Sequence, residues 1–184
     1  MLHVAITLGL AALSPAASVT PGVAIATCFT PEEDCNAFAA DAVDGAEREI
    51  LVGAYSLTVG SGVLEALVRA AQRGIDVRLI ADRTTPCERG SGVEVLARAG
   101  ASVWIDRGVR IAHAKTMVID GRVTLFGSMN WSRDAARNSE NVNLVSSPAV
   151  AEAYAGHWQQ RLAASVPFGG RDQWCGQRSA GGAL

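Results

Sequence analysis

The chain has 184 residues, of which 49% are hydrophobic and 18% are charged, and its formal net charge is −2. This length suffices for one domain with a substantial apolar core. Because the net charge is close to zero, the composition excludes nucleic-acid-binding proteins whose positive charge covers the whole molecule. The charges are unevenly placed, however: residues 106–137 carry six bases and three acids, whereas residues 28–49 carry seven acids and one base. We therefore expect the segment 106–137 to favour an anionic partner.

The first 31 residues contain no Asp, Glu, Lys or Arg. Within them, residues 4–13 form an apolar run that is too short to cross a bilayer as a helix. Small residues follow this run at 16–18 and again at 24–26. The pattern predicts a secretory signal peptide over residues 1–18, with residue 26 as the alternative cleavage position. The protein is then expected in the periplasm or outside the cell.

Four cysteines are consistent with export, because disulfides persist in oxidising compartments. Cys28, Cys35, Cys87 and Cys175 allow three pairings. We expect Cys28–Cys35 across the start of the first helix and Cys87–Cys175 between the tail and a loop. Four buried thiols are the alternative if there is no leader. The sequence contains no Cys-x-x-Cys pair, which argues against a zinc site.

Strand-like and helix-like patterns alternate through the first half of the chain. Strands are predicted at residues 22–29, 49–55, 77–81 and 102–105, and helices from Thr30 to about Ala46, from Ser61 to Gly74 and from Val93 to Ala99. The first helix start is indicated by a capping residue, a proline and two acids. This order predicts an α/β fold in which a mixed, largely parallel sheet lies between helices.

The segment from His113 to Asp120 has the pattern of a strand, in which side chains alternate between two faces. His113 and Lys115 then share one face, so that an imidazole and an ammonium lie side by side, whereas Asp120 lies on the other face. The pair Asp120-Gly121 is typical of a hairpin turn, and a second strand is predicted over residues 122–126. Lys115 is the only lysine of the chain, which otherwise uses fifteen arginines.

Polar residues follow this hairpin. Gly127 allows the backbone to approach a ligand closely. Ser128 and Asn130 come just before a predicted helical segment over residues 131–137, which either of them could cap. Free N–H groups at a helix start suit an anion. Together with the imidazole and the ammonium, these groups indicate a site that handles phosphate.

The last part of the chain is predicted to hold a strand over residues 141–146 and a long helix over residues 149–164. Residues 22–165 are then expected to form the one domain that carries the phosphate-handling site. The tail, residues 166–184, is rich in Gly and polar residues, and we expect it to be loosely ordered apart from Trp174-Cys175.

The motif residues fit the pattern H-x-K-x4-D-x6-G-S-x-N at every fixed position: His113, Lys115, Asp120, Gly127, Ser128 and Asn130. This long, gapped pattern resembles the signature of the phospholipase D superfamily. Residues 54–58, 138–141 and 157–158 also resemble the small bacterial single-motif endonucleases of that superfamily. The resemblance covers about residues 23–164 and implies a phospholipase D-like fold.

The resemblance implies a phosphodiesterase that works through a phosphohistidine. In this scheme His113 attacks phosphorus, and Glu140 holds the other ring nitrogen and so fixes the tautomer. Lys115 and Asn130 hold the non-bridging oxygens of the phosphate.

Two further residues of the signature have supporting roles in this scheme. Ser128 supports the imidazole or the phosphate. Asp120, on the opposite strand face, is expected to order the turn or an interface rather than to take part directly. Because the chain has only three histidines and no metal-binding pattern, we expect no metal ion and no other cofactor.

The leaving alkoxide also needs a proton. Beyond the leader, His157 is the only histidine besides His113, and its place in a Trp- and Gln-rich helix favours a structural role. Superfamily members with two motifs pair them in one active site. The resemblance therefore implies a homodimer, in which each copy supplies one His113 to a composite site.

Three functions are compatible with this sequence. The favoured one is a non-specific secreted or periplasmic endonuclease that cuts DNA or RNA at backbone phosphates. The alternative is a phospholipase D that hydrolyses phospholipid head groups, although lipid members usually carry two motifs and the chain has no strong membrane-binding amphipathic stretch. A non-catalytic nucleic-acid-binding module is the third, and the unbroken motif argues against it.

Overall fold

The computed structural model describes residues 23–180. The predicted signal peptide over residues 1–18 lies outside these residues. The described strands are β1 (Ala24–Thr30), β2 (Glu49–Ala54), β3 (Asp76–Asp82), β4 (Ser102–Asp106), β5 (Lys115–Ile119), β6 (Val123–Gly127), β7 (Glu140–Ser146) and β8 (Ser165–Pro167). The helices are α1 (Cys35–Asp44), α2 (Val63–Gln72), α3 (Val93–Arg98), α4 (Pro148–Ala163) and α5 (Arg171–Ala180).

The strands of the described chain form one sheet in the order β1-β7-β6-β5-β2-β3-β4-β8. The predicted α/β fold with a mixed sheet is confirmed, but the expectation of a largely parallel sheet is wrong. Only the pairs β2–β3 and β3–β4 of this part of the chain are parallel, and the other five pairs are antiparallel. Parallel neighbours need a crossover helix, which α2 and α3 provide. Hairpins and returning strands build the rest of the sheet.

Helices cover both faces of the sheet. The helices α1, α2 and α3 pack on one face and form the main core. On the other face, α4 packs through Ala151 and Trp158 onto Leu51, Ile80 and Val118. Side chains of β5 alternate between the two cores, since Met117 and Ile119 belong to the first whereas Val118 belongs to the second.

The first helix begins later than its sequence pattern predicts. Thr30 ends β1, and its hydroxyl donates to Asn138 O at 2.8 Å and accepts from Glu140 N at 3.2 Å. Both bonds of this hydroxyl therefore go to residues 138 and 140, at the start of β7, and it does not cap a helix. Asp34 caps α1 instead, accepting from Ala37 N at 3.0 Å.

The tail is ordered where we expected a loose segment, so this expectation is wrong for residues 166–176. Strand β8 pairs with the edge of β4, and Trp174 Nε1 in α5 donates to Arg83 O at 3.1 Å.

Both expected disulfides are confirmed: Cys28–Cys35 and Cys87–Cys175. Within residues 23–180, no helix is long and apolar enough to cross a membrane.

Candidate active site

The motif residues lie at one edge of the sheet. The carboxyl ends of β2, β3 and β4 meet the start of β5, the end of β6 and the start of β7 there, because Ala54 pairs with Lys115 and Gly127 pairs with Val142. Ligands of open α/β sheets commonly bind beyond the carboxyl ends of the parallel strands. The chain thus gathers its polar motif at an edge suited to binding.

His113 and Lys115 are in direct contact, as predicted, but β5 begins only at Lys115, so His113 lies just before the strand rather than within it. Lys115 Nζ lies 3.0 Å from His113 Nδ1 and donates to His113 O at 3.1 Å. The imidazole is exposed, whereas the lysine is only 6% exposed. Because an ammonium can only donate, Nδ1 accepts in this state, and a neutral ring then carries its proton on Nε2.

The ammonium lies in a partly desolvated environment. Burial lowers the pKa of Lys115 below its usual value, and the negative charge of Glu140 opposes this shift. The ring of Tyr55 lies beside both side chains: its centroid is 4.3 Å from that of His113 and 4.9 Å from Lys115 Nζ. Tyr55 belongs to residues 54–58, which were part of the resemblance, but no role was predicted for it.

The end of β6 is fastened tightly to β7. A Cβ atom on Gly127 would lie 2.0 Å from Asn141 O, so only glycine permits this approach. Ser128 N donates to Asn141 O, and Ser128 Oγ accepts from Asn141 N, both at 3.1 Å. The exposed Ser128 hydroxyl therefore supports the loop and keeps its own proton available to donate.

Asn130 lies in the loop after β6. It is half-buried, and its Oδ1 is buried without a hydrogen-bond partner in the described chain. No described residue hydrogen-bonds its Nδ2 either, which leaves this donor for a ligand.

The predicted helix over residues 131–137 is only a short 3₁₀ turn over Asp134–Arg137. Ser132 Oγ accepts from Ala135 N at its start, so the expected capping by Ser128 or Asn130 is wrong.

Glu140 does not contact His113 within the single described chain. Its Oε1 accepts from Asn138 Nδ2 at 3.2 Å, and Lys115 occupies the ring nitrogen that we expected Glu140 to hold. The carboxylate nevertheless lies close enough for its charge to act on Lys115. The structure thus places Glu140 near the ammonium rather than on the imidazole.

Asp120 lies at the other end of β5 and is not brought to the site. Its carboxylate accepts from the backbone N–H groups of Glu47, Arg48 and Glu49 at 3.0, 2.8 and 3.1 Å. Burial raises the pKa of Asp120, but the three hydrogen bonds and the charge of Arg122 outweigh it and hold the pKa below its usual value. Asp120 and Gly121 both have positive φ, as the hairpin turn needs. Its place in the signature therefore reflects folding rather than chemistry.

Two buried acids that the sequence analysis missed hold the loop before His113. Asp82 Oδ2 accepts from Ala112 N at 2.6 Å. Asp106 accepts from Gly108 N at 2.8 Å and from Nη2 and Nε of Arg161 at 2.7 and 2.8 Å. Each acid ends a buried parallel strand, and an acid at that position was the available sequence signal.

A groove of about 480 Å³ opens beside His113 on the α4 face of the sheet. Its walls include the exposed apolar side chains of Val109 and Ile111. His157 is exposed and lines the same groove, whereas its neighbour Trp158 is buried and donates to Val52 O at 2.9 Å. The structural role that we expected for His157 therefore belongs to Trp158.

The titratable groups of the site suit acid–base and nucleophilic chemistry. Among residues 23–180 there is no group of three His, Cys, Asp or Glu side chains arranged to hold a metal ion. An exposed imidazole beside an ammonium can attack an electrophile while the cation neutralises negative charge.

Comparisons with known proteins identify relatives over most of this region. A sequence model described as "Cardiolipin synthase, PLD-like domain" matches residues 40–162. The chain is 36% identical over 142 residues to a protein of Rickettsia felis named phospholipase D, covering 77% of this chain and 70% of that protein. It is 30% identical over 128 residues to a mitochondrial cardiolipin hydrolase of Xenopus tropicalis, covering 67% of this chain and 60% of that protein.

Solved structures share the fold. Nuc from Salmonella typhimurium, described as a phospholipase D family member, matches with a TM-score of 0.75 and 29% identity over 79% of this chain and 98% of that chain. NucT from Helicobacter pylori matches with a TM-score of 0.73 over 79% of this chain and 99% of that chain. At 21% identity, this second match supports the fold alone. The expected phospholipase D-like fold is confirmed.

Proposed function

Because the chain belongs to the phospholipase D superfamily and is a phosphodiesterase, we propose that it is an exported endonuclease that cuts nucleic-acid backbones without a metal ion. The observation that carries this proposal is the 3.0 Å contact between the exposed imidazole of His113 and the buried ammonium of Lys115. Nucleophile and charge-neutralising group are thus preassembled at an open edge of the sheet.

The reaction proceeds in two displacements. An imidazole nitrogen of His113 attacks phosphorus, an N–P bond forms, and the P–O bond to the leaving group breaks. On substrate binding, Lys115 moves its hydrogen bond from the ring to a non-bridging oxygen, and Asn130 Nδ2 donates to the same phosphate. Water then attacks the phosphohistidine and releases the second product.

Proton transfer in this scheme needs a second imidazole. The leaving alkoxide takes a proton from an imidazolium, which becomes neutral and later accepts a proton from the attacking water. We assign this role to His113 of a second copy in a C₂ homodimer, since a two-fold axis at the motif edge would bring two identical rings to one phosphate.

Positive charge near the motif supports a nucleic-acid substrate. Arg107, Arg110 and Arg133 are exposed, and none of them forms an ion pair with another residue of the described chain. Unpaired arginines bind backbone phosphates without reading bases. This arrangement suits an endonuclease of broad sequence tolerance.

The test is incubation of the purified protein with plasmid DNA and with phosphatidylcholine vesicles, each in excess chelator. The proposal expects nicked and linear DNA, intact lipid and a ³¹P signal of a phosphohistidine after denaturation in alkali, where the P–N bond is stable. His113→Asn should abolish cleavage while DNA binding persists, which would also reject a purely binding function. Cleavage that disappears with chelator would overturn the metal-independent mechanism.

Phospholipase D activity is the second candidate. It is favoured by the name of the Rickettsia felis relative and by the apolar groove beside His113, whose walls could take part of a lipid. The same two incubations separate the candidates: release of head groups from vesicles with intact plasmid would favour the lipid.

A further inference from the structure

Tyr55 occupies a fixed position at the end of β2. Its backbone N–H donates to Ala114 O at 2.7 Å, and its carbonyl oxygen accepts from the hydroxyl of Thr85. These two bonds hold the backbone from the β5 side and from the loop after β3. The direction in which the side chain leaves the sheet is therefore set by the fold.

The ring, rather than the hydroxyl, makes the contacts of this side chain. The rings of Tyr55 and His113 are tilted by 52° at a centroid distance of 4.3 Å, and Lys115 Nζ lies over the face of Tyr55. No described residue hydrogen-bonds to the Tyr55 hydroxyl. The ring of Tyr55 thus contacts both His113 and Lys115.

We propose that Tyr55 is a positioning residue, whose ring holds the Lys115 ammonium and the His113 imidazole in the arrangement that phosphate requires. This inference rests on the proposed phosphodiesterase chemistry of those two groups. Lys115 is almost fully buried and forms no ion pair with a carboxylate in the described chain. The negative face of the ring therefore attracts the ammonium in addition to the charge of Glu140.

Removing the ring would change the geometry without removing a reacting group. The ammonium would lose the attraction of the ring, which helps to hold it beside His113 Nδ1. Since small displacements of reacting groups slow the chemical step strongly, the loss should fall on kcat rather than on KM.

The test compares Tyr55→Phe with Tyr55→Leu on bis(p-nitrophenyl) phosphate in excess chelator. We expect Tyr55→Phe to keep kcat within about twofold, because the ring persists, and Tyr55→Leu to lose roughly 10- to 100-fold in kcat. The alkaline limb of the pH–rate profile should move to lower pH in Tyr55→Leu, since a lost cation–π contact lowers the pKa of Lys115 further. Phe168→Leu, which removes a partly buried ring elsewhere in the core, should change neither.

The outcomes are separable from those of the proposed function. Wild-type kcat and pH profile in Tyr55→Leu would overturn the inference, and so would a Tyr55→Phe loss equal to that of Tyr55→Leu. If Tyr55→Leu does not fold, Tyr55→Met keeps apolar volume without the ring and should show the same loss. A second readout needs no activity: the ¹⁵N shifts of the His113 ring should change in Tyr55→Leu and in Tyr55→Met. Unchanged shifts would contradict the inference even if the protein cuts neither plasmid nor diester.

Discussion

A hydrogen bond of 2.6 Å joins the Asp82 carboxylate to the N–H of Ala112, the residue before His113. The other carboxylate oxygen accepts from the backbone N–H and the hydroxyl of Thr84 at 2.9 and 2.7 Å. Asp82 is only 1% exposed, so these bonds form in a desolvated environment where they are strong. The carboxyl end of β3 thereby fixes the backbone that leads into His113.

We predict that Asp82→Ala lowers both stability and activity. Three donors lose their acceptor, and a buried unsatisfied donor costs about 1–3 kcal/mol. The expected fall in Tm is about 4–8 °C, with a loss of about tenfold in kcat/KM as the loop before His113 loosens. Thermal melts and initial rates measure both. Asp76→Ala, at the exposed start of the same strand, is the matched control, and equal effects of both variants would contradict the prediction.

Local patterns of the sequence were enough to predict the centre of the site. His113 and Lys115 lie two positions apart and are in contact, although His113 precedes β5, and the Asp120-Gly121 pair specifies the turn that returns the chain as β6. Both features depend on residues only a few positions apart. The same reasoning located most of the helices to within a few residues.

Contacts between distant segments could not be predicted in this way. Thr30 does not cap α1 because its hydroxyl bonds to Glu140, 110 positions away. Asp82 and Ala112 are 30 positions apart, and Asp106 and Arg161 are 55 apart. The antiparallel majority of the sheet likewise depends on strand order, which no local period encodes. For this reason the supporting acids of the site were missed.

We predict that Asp120→Asn destabilises the protein without removing its activity. The carboxylate accepts three backbone bonds far from the catalytic edge, and its loss should cost roughly 2–3 kcal/mol at pH 7. At temperatures well below Tm, kcat should stay within about twofold of wild type. A large fall in kcat with unchanged Tm would show that Asp120 acts in chemistry after all.

The difference in unfolding free energy between wild type and Asp120→Asn should depend on pH, because the pKa of Asp120 is lowered in the folded protein. The folded form keeps this carboxylate charged more readily than the unfolded form, so its stabilisation is complete above the unfolded pKa of about 3.9 and is lost as pH falls through the lower folded value. The gap between wild type and Asp120→Asn should therefore be constant from pH 7 to 5 and shrink below about pH 4. Urea unfolding at each pH measures it, with the exposed Asp41→Asn as control.

The two disulfides should differ in their contribution to stability. Cys87–Cys175 closes a separation of 88 residues and Cys28–Cys35 one of 7. The chain-entropy argument gives about 4–5 kcal/mol for the longer loop and about 2 kcal/mol for the shorter one. Replacing Cys87 and Cys175 together by Ser should thus lower the urea midpoint by more than the same change at Cys28 and Cys35. An equal fall in both variants would argue against the entropic account.

The source of the leaving-group proton can be decided between His157 and a second copy of His113. His157 lines the groove beside His113 within one chain, whereas the proposed dimer supplies its acid from the partner. If the partner supplies it, His157→Asn should keep kcat within about threefold, and specific activity should fall on dilution as dimers separate.

General acid catalysis typically contributes 10²- to 10⁴-fold. If His157 is the acid, His157→Asn should therefore lose at least about 100-fold on a substrate with a poor leaving group and much less on bis(p-nitrophenyl) phosphate, whose leaving group needs no proton. If light scattering shows a monomer and its specific activity does not change on dilution, a composite site shared by two copies is ruled out. A mixing experiment also tests the dimer. Adding excess His113→Asn to the wild-type protein should suppress turnover only if each site needs both copies.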